Sequence, residues 1–212
     1  MTKRLVLMLF AACLAAPVAT AEAGAITTLF ARNNGGSNGG AVYFDLSIGP
    51  NDLLVTGFDT NTLDLVAFTA DFYTTPGTAF GNETNAAAWT LVATGTGTGA
   101  GANLPSSITL NTSFLLSANT TYGLAIVVSA AIGHDYTNGN GTNQVYSNAD
   151  LTLTAGSATN DPFTGGAFNP RVWNGTIYYE VQPTAAVPEP TSLLLLGTGL
   201  ALVVARSRRR RS

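Results

Sequence analysis

Cysteine is nearly missing from this chain: the only one, Cys13, lies within an apolar run at residues 5–16. Once that run is removed on export, the remaining protein holds no disulfide, no thiolate metal site and no cysteine nucleophile. Histidine is equally scarce. His134 stands alone, which excludes imidazole metal clusters, and the neighbouring His134-Asp135 pair does not by itself form a relay to a serine; both read as surface-loop residues. Positive charge is thin in the middle of the chain. Residues 24–186 hold two arginines, Arg32 and Arg171, against ten carboxylates, a formal charge of −8 that the whole-chain value of −3 conceals. A surface this acidic has no footprint for a phosphate backbone, so nucleic acid is excluded as a partner. Sustained helical periodicity is also missing, except at the two ends.

The ends carry the rest of the positive charge. Lys3 and Arg4 precede the apolar run, and Ala21-Glu22-Ala23 places small residues at the two positions a signal peptidase inspects. This predicts a secretory signal peptide over residues 1–23, cut after Ala23, with Ala21 and Ala23 as the recognition residues and signal peptidase as a partner. A lipobox ending at Cys13 is the alternative; the apolar stretch before it is very short, and Phe10 stands where Leu is usual.

The other end, residues 187–212, has three parts. Pro188-Glu189-Pro190 comes first: two prolines lock φ, remove two donors and push their neighbours into extended geometry, so the segment is a stiff non-helical rod. An apolar stretch follows, in which Thr198 is the only polar residue between Leu193 and Val204. As a helix from Thr191 to Ala205 it spans roughly 22 Å, short of the ~30 Å hydrocarbon core, so it crosses with some thinning of the bilayer. Last come Arg206 and Arg208, Arg209, Arg210 and Arg211, which hold that end in the cytoplasm. This tail resembles the PEP-CTERM sorting signal of Gram-negative bacteria, also labelled an ice-binding protein C-terminal domain, a name that implies nothing about ice. The resemblance implies recognition by exosortase, an integral-membrane peptidase, often in organisms that make exopolysaccharide. It implies transient anchoring in the inner membrane through a single transmembrane helix, then delivery to the cell surface or the medium.

Residues 24–186 read as one extracytoplasmic domain. Alternating or clustered apolar residues predict strands at 26–31, 41–48, 53–59, 65–73, 89–94, 107–110, 121–129, 143–146, 151–155 and 175–181, separated by Gly-, Asn- and Pro-rich turns. In 121–129, Tyr122, Leu124, Ile126 and Val128 share one face. Short strands and Gly-rich turns predict an all-β fold, an antiparallel, jelly-roll-like β-sandwich. Three stretches, 81–92, 146–152 and 170–179, resemble β-sandwich domains of other exported bacterial proteins, a likeness of fold and not of activity.

Motif matches are few. Gly35-Gly36-Ser37-Asn38-Gly39 fits G-x-S-x-G but sits among turn formers with no helix after it, and the glycines of 97–102 lack a βαβ unit to aim at a phosphate. Asp59, Asn61, Asp64 and the pair Asn160-Asp161 offer hard oxygen ligands, which makes calcium the one cofactor to weigh; none has EF-hand spacing, and strand termination explains them better. No metal site is expected. Tyr136, Trp89 and Trp173 are the candidate glycan contacts if their rings lie on an exposed face; the competing reading puts both tryptophans in the core. Tyr178 and Tyr179 must point to opposite faces of their strand. The chain therefore reads as an exported, non-enzymatic structural or adhesive protein of the cell surface or extracellular matrix. The alternative is a carbohydrate-binding module acting on extracellular polysaccharide.

Overall fold

The computed structural model describes residues 21–182. The signal-peptide core, Pro188-Glu189-Pro190, the apolar span and the arginines Arg206 and Arg208–Arg211 lie outside the described residues. Among the described residues no helix is long and apolar enough to cross a membrane.

The described residues are β throughout. Thirteen strands run in order: β1 (Glu22–Thr27), β2 (Asn34–Asn38), β3 (Ala41–Ile48), β4 (Asp52–Thr60), β5 (Ala67–Pro76), β6 (Thr90–Thr98), β7 (Ser106–Leu116), β8 (Thr121–Val128), β9 (Gly133–Asn138), β10 (Val145–Ser147), β11 (Leu151–Thr159), β12 (Arg171–Trp173) and β13 (Gly175–Gln182). One short 3-10 turn, Ala86–Ala88, precedes β6.

Ten of the strands form one continuous antiparallel sheet in the order β1-β13-β4-β7-β6-β5-β8-β3-β11-β10. The antiparallel all-β expectation is met, but the two separate sheets of a sandwich are replaced by a single sheet that curls into a nearly closed barrel. Extra residues in the ladders supply the curl: Thr56, Val92 and Gly156 are each unpaired where the register shifts. Such bulges sharpen the local twist and bend the strand that carries them.

The two sheet edges are joined by side chains. Asn148, in the turn before β11, donates to the carbonyl of Ala25 on β1 at 3.1 Å and to the hydroxyl of Tyr179 on β13 at 2.7 Å. Tyr179 donates onward to Asp150 at 2.9 Å. Burial raises the Tyr179 phenol to about 12, against the lowering bond from Asn148 and with a further rise from Asp150, so it stays a donor throughout the physiological range. Cleavage after Ala23 would remove two residues of β1 and leave Gly24 to Thr27 paired with β13.

Period-two alternation decides which side chains fill the barrel. Val42, Phe44, Leu46 and Ile48 of β3, Leu124, Ile126 and Val128 of β8, and Phe68, Ala70 and Phe72 of β5 all point inward. Phe58 stacks on Phe72 at 4.3 Å, and Phe44 on Trp173 at 4.9 Å. Tyr179 is buried and Tyr178 exposed, as opposite faces require. The outer faces of β3, β8 and β5 are covered as well. The 77–89 loop folds back across them, and Tyr43, Ala125, Ala79 and Trp89 form a second, smaller core with Phe163 against it. That crossing needs Gly123, where any side chain would collide with the backbone at Ala79.

The remaining three strands form a separate sheet, β12-β9-β2. Through Val172, Trp173 and Tyr136 it joins the main core at the end where Thr60 pairs with Ser106 and Ala67 with Thr98. The opposite end is where Glu22 pairs with Val181 and Leu53 with Leu116.

Candidate functional site

His134 and Asp135 lie in strand β9 and are buried, 2% and 4% exposed, which corrects their reading as surface-loop residues. His134 Nε2 lies 3.1 Å from the carbonyl of Ile126, which accepts only, so Nε2 carries the proton. Nδ1 then accepts from the Thr60 hydroxyl at 3.3 Å, and Thr60 accepts from Trp173 Nε1 at 3.2 Å. A second ring proton would force the Thr60 hydroxyl to turn its own proton away from Nδ1. Burial lowers the imidazole pKa to about 4, the bond to Ile126 working weakly against it. Held at both nitrogens, the ring links β9 to β8 through Ile126 and to β4 through Thr60.

Acidification should therefore loosen the capped end. The unfolded histidine takes up a proton near pH 6.5 and the folded one only near 4, so between these values the unfolded state binds more protons. The stability this group contributes is fully present above about pH 6.5 and is lost as the pH falls toward 4, about 3 kcal/mol in all. Asp135, whose pKa burial raises, acts in the opposite direction. Melting temperatures measured from pH 7 to 4.5 should fall, and His134→Gln, though less stable at pH 7, should fall less. Parallel declines would assign the effect to other groups.

Asp135 forms an ion pair with Arg32, Nε to Oδ1, at 2.9 Å. Its second oxygen is buried without a hydrogen-bond partner. Burial raises its pKa, the Arg32 guanidinium opposes this, and Asp64 raises it further.

The oxygen ligands weighed for calcium do not converge. Asp59 accepts from Ser107 and from Tyr178, both at 2.7 Å, whereas Asn61 exchanges bonds with Asn103. Asp64 accepts from Thr62 at 3.1 Å and from the Gly133 N–H at 3.3 Å. Asn160 accepts from the Ser37 N–H, and Asp161 lines a shallow cavity with Gly165, Gly166 and Phe168. Among the described residues no three His, Cys, Asp or Glu side chains are grouped to hold a metal ion.

Nor do the candidate glycan contacts form a platform. Trp173 is 1% exposed inside the barrel, Tyr136 is 3% exposed beneath Arg171, and Trp89 is 8% exposed between Tyr43 and Phe163. Each ring has its faces occupied by protein, so none is open to a sugar; for the tryptophans, burial is the competing expectation.

What the sequence did not reveal is a pocket on the outer wall. Where the 77–89 loop meets β3 and β11, a cavity of about 180 Å³ is lined by Asp45, Phe80, Glu83, Thr154 and Ser157, among others. Asp45 accepts from the Thr78 hydroxyl and the Ala79 N–H, both at 2.7 Å. Glu83 accepts from the Gly81 N–H at 2.7 Å and the Ser157 hydroxyl at 2.9 Å. The Phe80 ring is 68% exposed. Gly156, the extra residue of the β11 bulge, lies in the floor, where a Cβ would strike the carbonyl of Tyr43. The two acids are far apart in sequence, and only the fold-back of the loop brings them together.

No curated protein matches the chain. Residues 186–210 match the model of the PEP-CTERM protein-sorting motif. That interval contains Pro188-Glu189-Pro190, the apolar stretch and Arg206 to Arg210 in the order read from the sequence. The chain therefore carries at residues 186–210 a PEP-CTERM protein-sorting motif, a signal that exosortase recognises and that implies export toward the cell surface.

Proposed function

We propose that the domain is a non-enzymatic structural or adhesive module, displayed on the cell surface or in the extracellular matrix after its tail has been processed. The observation that supports this is the filled interior. Small barrels that carry ligands keep a chamber, whereas here aromatic and aliphatic side chains from the main sheet and from β9 and β12 pack together in one core. Interaction is then left to the outer wall and the loops. The solitary histidine is tied into a relay of structural hydrogen bonds, so the reading assigns it no proton to move. The reading also needs no cofactor. Its route is a signal peptide cut by signal peptidase, a transient stay in the inner membrane through the apolar span, and release by exosortase.

Deleting residues 24–182 in the producing cell, with both targeting segments kept, should weaken cell–cell cohesion measured by sedimentation. Cohesion equal to wild type would overturn the adhesive reading. A second reading, a carbohydrate-binding module facing extracellular polysaccharide, is favoured by one observation, the pocket at Asp45 and Glu83.

A further inference from the structure

Five asparagines among the described residues precede a glycine: Asn34, Asn38, Asn138, Asn140 and Asn174. Glycine in that place leaves the peptide nitrogen open to approach, because it has no side chain to cover it. In four of the five pairs the glycine N–H is tied to a partner other than the asparagine before it. Gly39 donates to the Ile132 carbonyl at 3.0 Å, Gly139 to the Pro170 carbonyl at 3.0 Å, Gly141 to the Gln144 side chain at 2.7 Å and Gly175 to the Thr28 hydroxyl at 3.0 Å. Gly35 differs. Its N–H donates to Oδ1 of Asn34 at 2.8 Å. That oxygen is one C=O bond, about 1.2 Å, from Cγ, so the backbone nitrogen lies near the range of about 3–3.5 Å from which two atoms react.

The surroundings suit the same reaction. Only an oxygen accepts from Gly35, so the amide NH2 of Asn34 faces away, where it donates to Asn138 Oδ1 at 3.0 Å. A side chain on Gly35 would begin 2.9 Å from Asp135 Oδ1 and 3.8 Å from Arg32 Nη2. The position therefore resists any residue larger than glycine. The guanidinium, held by Asp135 through Nε, sets positive charge beside the oxygen that turns negative when Cγ is attacked. Asn34 is half-buried and Gly35 exposed on β2, an edge strand of the capping sheet, so water reaches both.

We propose that Asn34-Gly35 is a self-modification site, at which the amide converts with time to aspartate and isoaspartate. The Gly35 nitrogen gives its proton to water and attacks Asn34 Cγ. As the new N–Cγ bond forms, the bond from Cγ to the side-chain nitrogen breaks; that nitrogen takes a proton from water and leaves as ammonia. Water then opens the five-membered imide at one of its two carbonyls, giving aspartate or isoaspartate, with no oxidant and no cofactor. Either product lacks the donor to Asn138 and turns a carboxylate toward its oxygen. Isoaspartate also adds a methylene to the β2 backbone, next to the Gly35 carbonyl that accepts from Tyr136. The conversion thus releases the edge of the capping sheet.

Incubating the full-length chain in detergent micelles near neutral pH, then digesting it for tandem mass spectrometry, reads all five asparagines in one sample. Asn34 should gain the mass of an amide-to-acid change at least about tenfold faster than each of the other four, with isoaspartate among its products. In urea, where only local sequence remains, that lead should shrink below about threefold. Equal rates in the folded chain, or a lead at another asparagine, would overturn the site. A lead that survives urea would belong to the sequence and overturn the role of the fold. A mass gain at Asn34 without isoaspartate would mean direct hydrolysis by water and overturn the attack by Gly35.

Discussion

Replacing Trp173 with alanine is expected to lower the melting temperature of the exported domain by roughly 6–20 °C, from a loss of about 3–5 kcal/mol. The indole is 1% exposed and is where the capping sheet enters the barrel. It stacks on Phe44 at 4.9 Å and meets Phe58 edge-on at 6.2 Å. Its Nε1 donates to Thr60, the hydroxyl that also serves His134, so truncation leaves a cavity and takes one link from a buried polar chain. The cost is a large share of the ~5–15 kcal/mol that holds a typical domain together. Trp173→Phe separates the two contributions, since it keeps the stacking and loses the donor; a fall of about 1–2 kcal/mol is expected. Thermal unfolding followed by circular dichroism measures both. A change under about 1 kcal/mol in the alanine variant would show that the cap is not anchored through this residue.

The second large effect belongs to the tail. Changing Pro188 and Pro190 to alanine together should leave export intact, because the signal peptide and the arginine stop are untouched. It should strand the protein in the inner membrane at full C-terminal length, because the extended, donor-poor shape that marks the sorting motif is gone. The wild-type product should lose residues 193–212 and appear at the surface or in the medium. Intact-mass analysis of the exported protein decides between the outcomes. A wild-type product still ending in Arg211-Ser212 would mean a permanent anchor and would sink the sorting route.

How much of this was legible in the sequence depended on what each strand packs against. Ala41–Ile48 was readable to the residue, since its inward side chains are apolar and its turns are marked by Gly and Pro. The missed strands are the three of the capping sheet. Asn34–Asn38 is all Asn, Gly and Ser, and Gly133–Asn138 carries His134, Asp135 and Asn138, so neither shows a hydrophobic period. Polar bonds hold them instead, as between Asn34 and Asn138 and between the Tyr136 hydroxyl and the Gly35 carbonyl. The barrel itself was hidden for another reason. Inward and outward residues alternate identically in a curled sheet and in a sandwich, and only the register shifts at Thr56, Val92 and Gly156 tell them apart. The Asp45–Glu83 pocket depends on a loop folding back over the outer wall, which no local pattern announces.

The pairing of the first strand with the last also sets a clock on biogenesis. Thr27 and Thr176 share a hydrogen bond across 149 positions, so β1 emerges from the export channel first and its partner emerges among the last residues of the domain. Until then β1 has no neighbour in the sheet, the joint at Asn148 and Tyr179 is open, and the nascent protein is a string of unclosed hairpins outside the membrane. So long a closure makes for slow folding, in a state whose bare strand edges invite other copies. Export factors that shield a polypeptide while it waits for its final strand should therefore matter more to this protein than to one whose neighbours in sequence are neighbours in space.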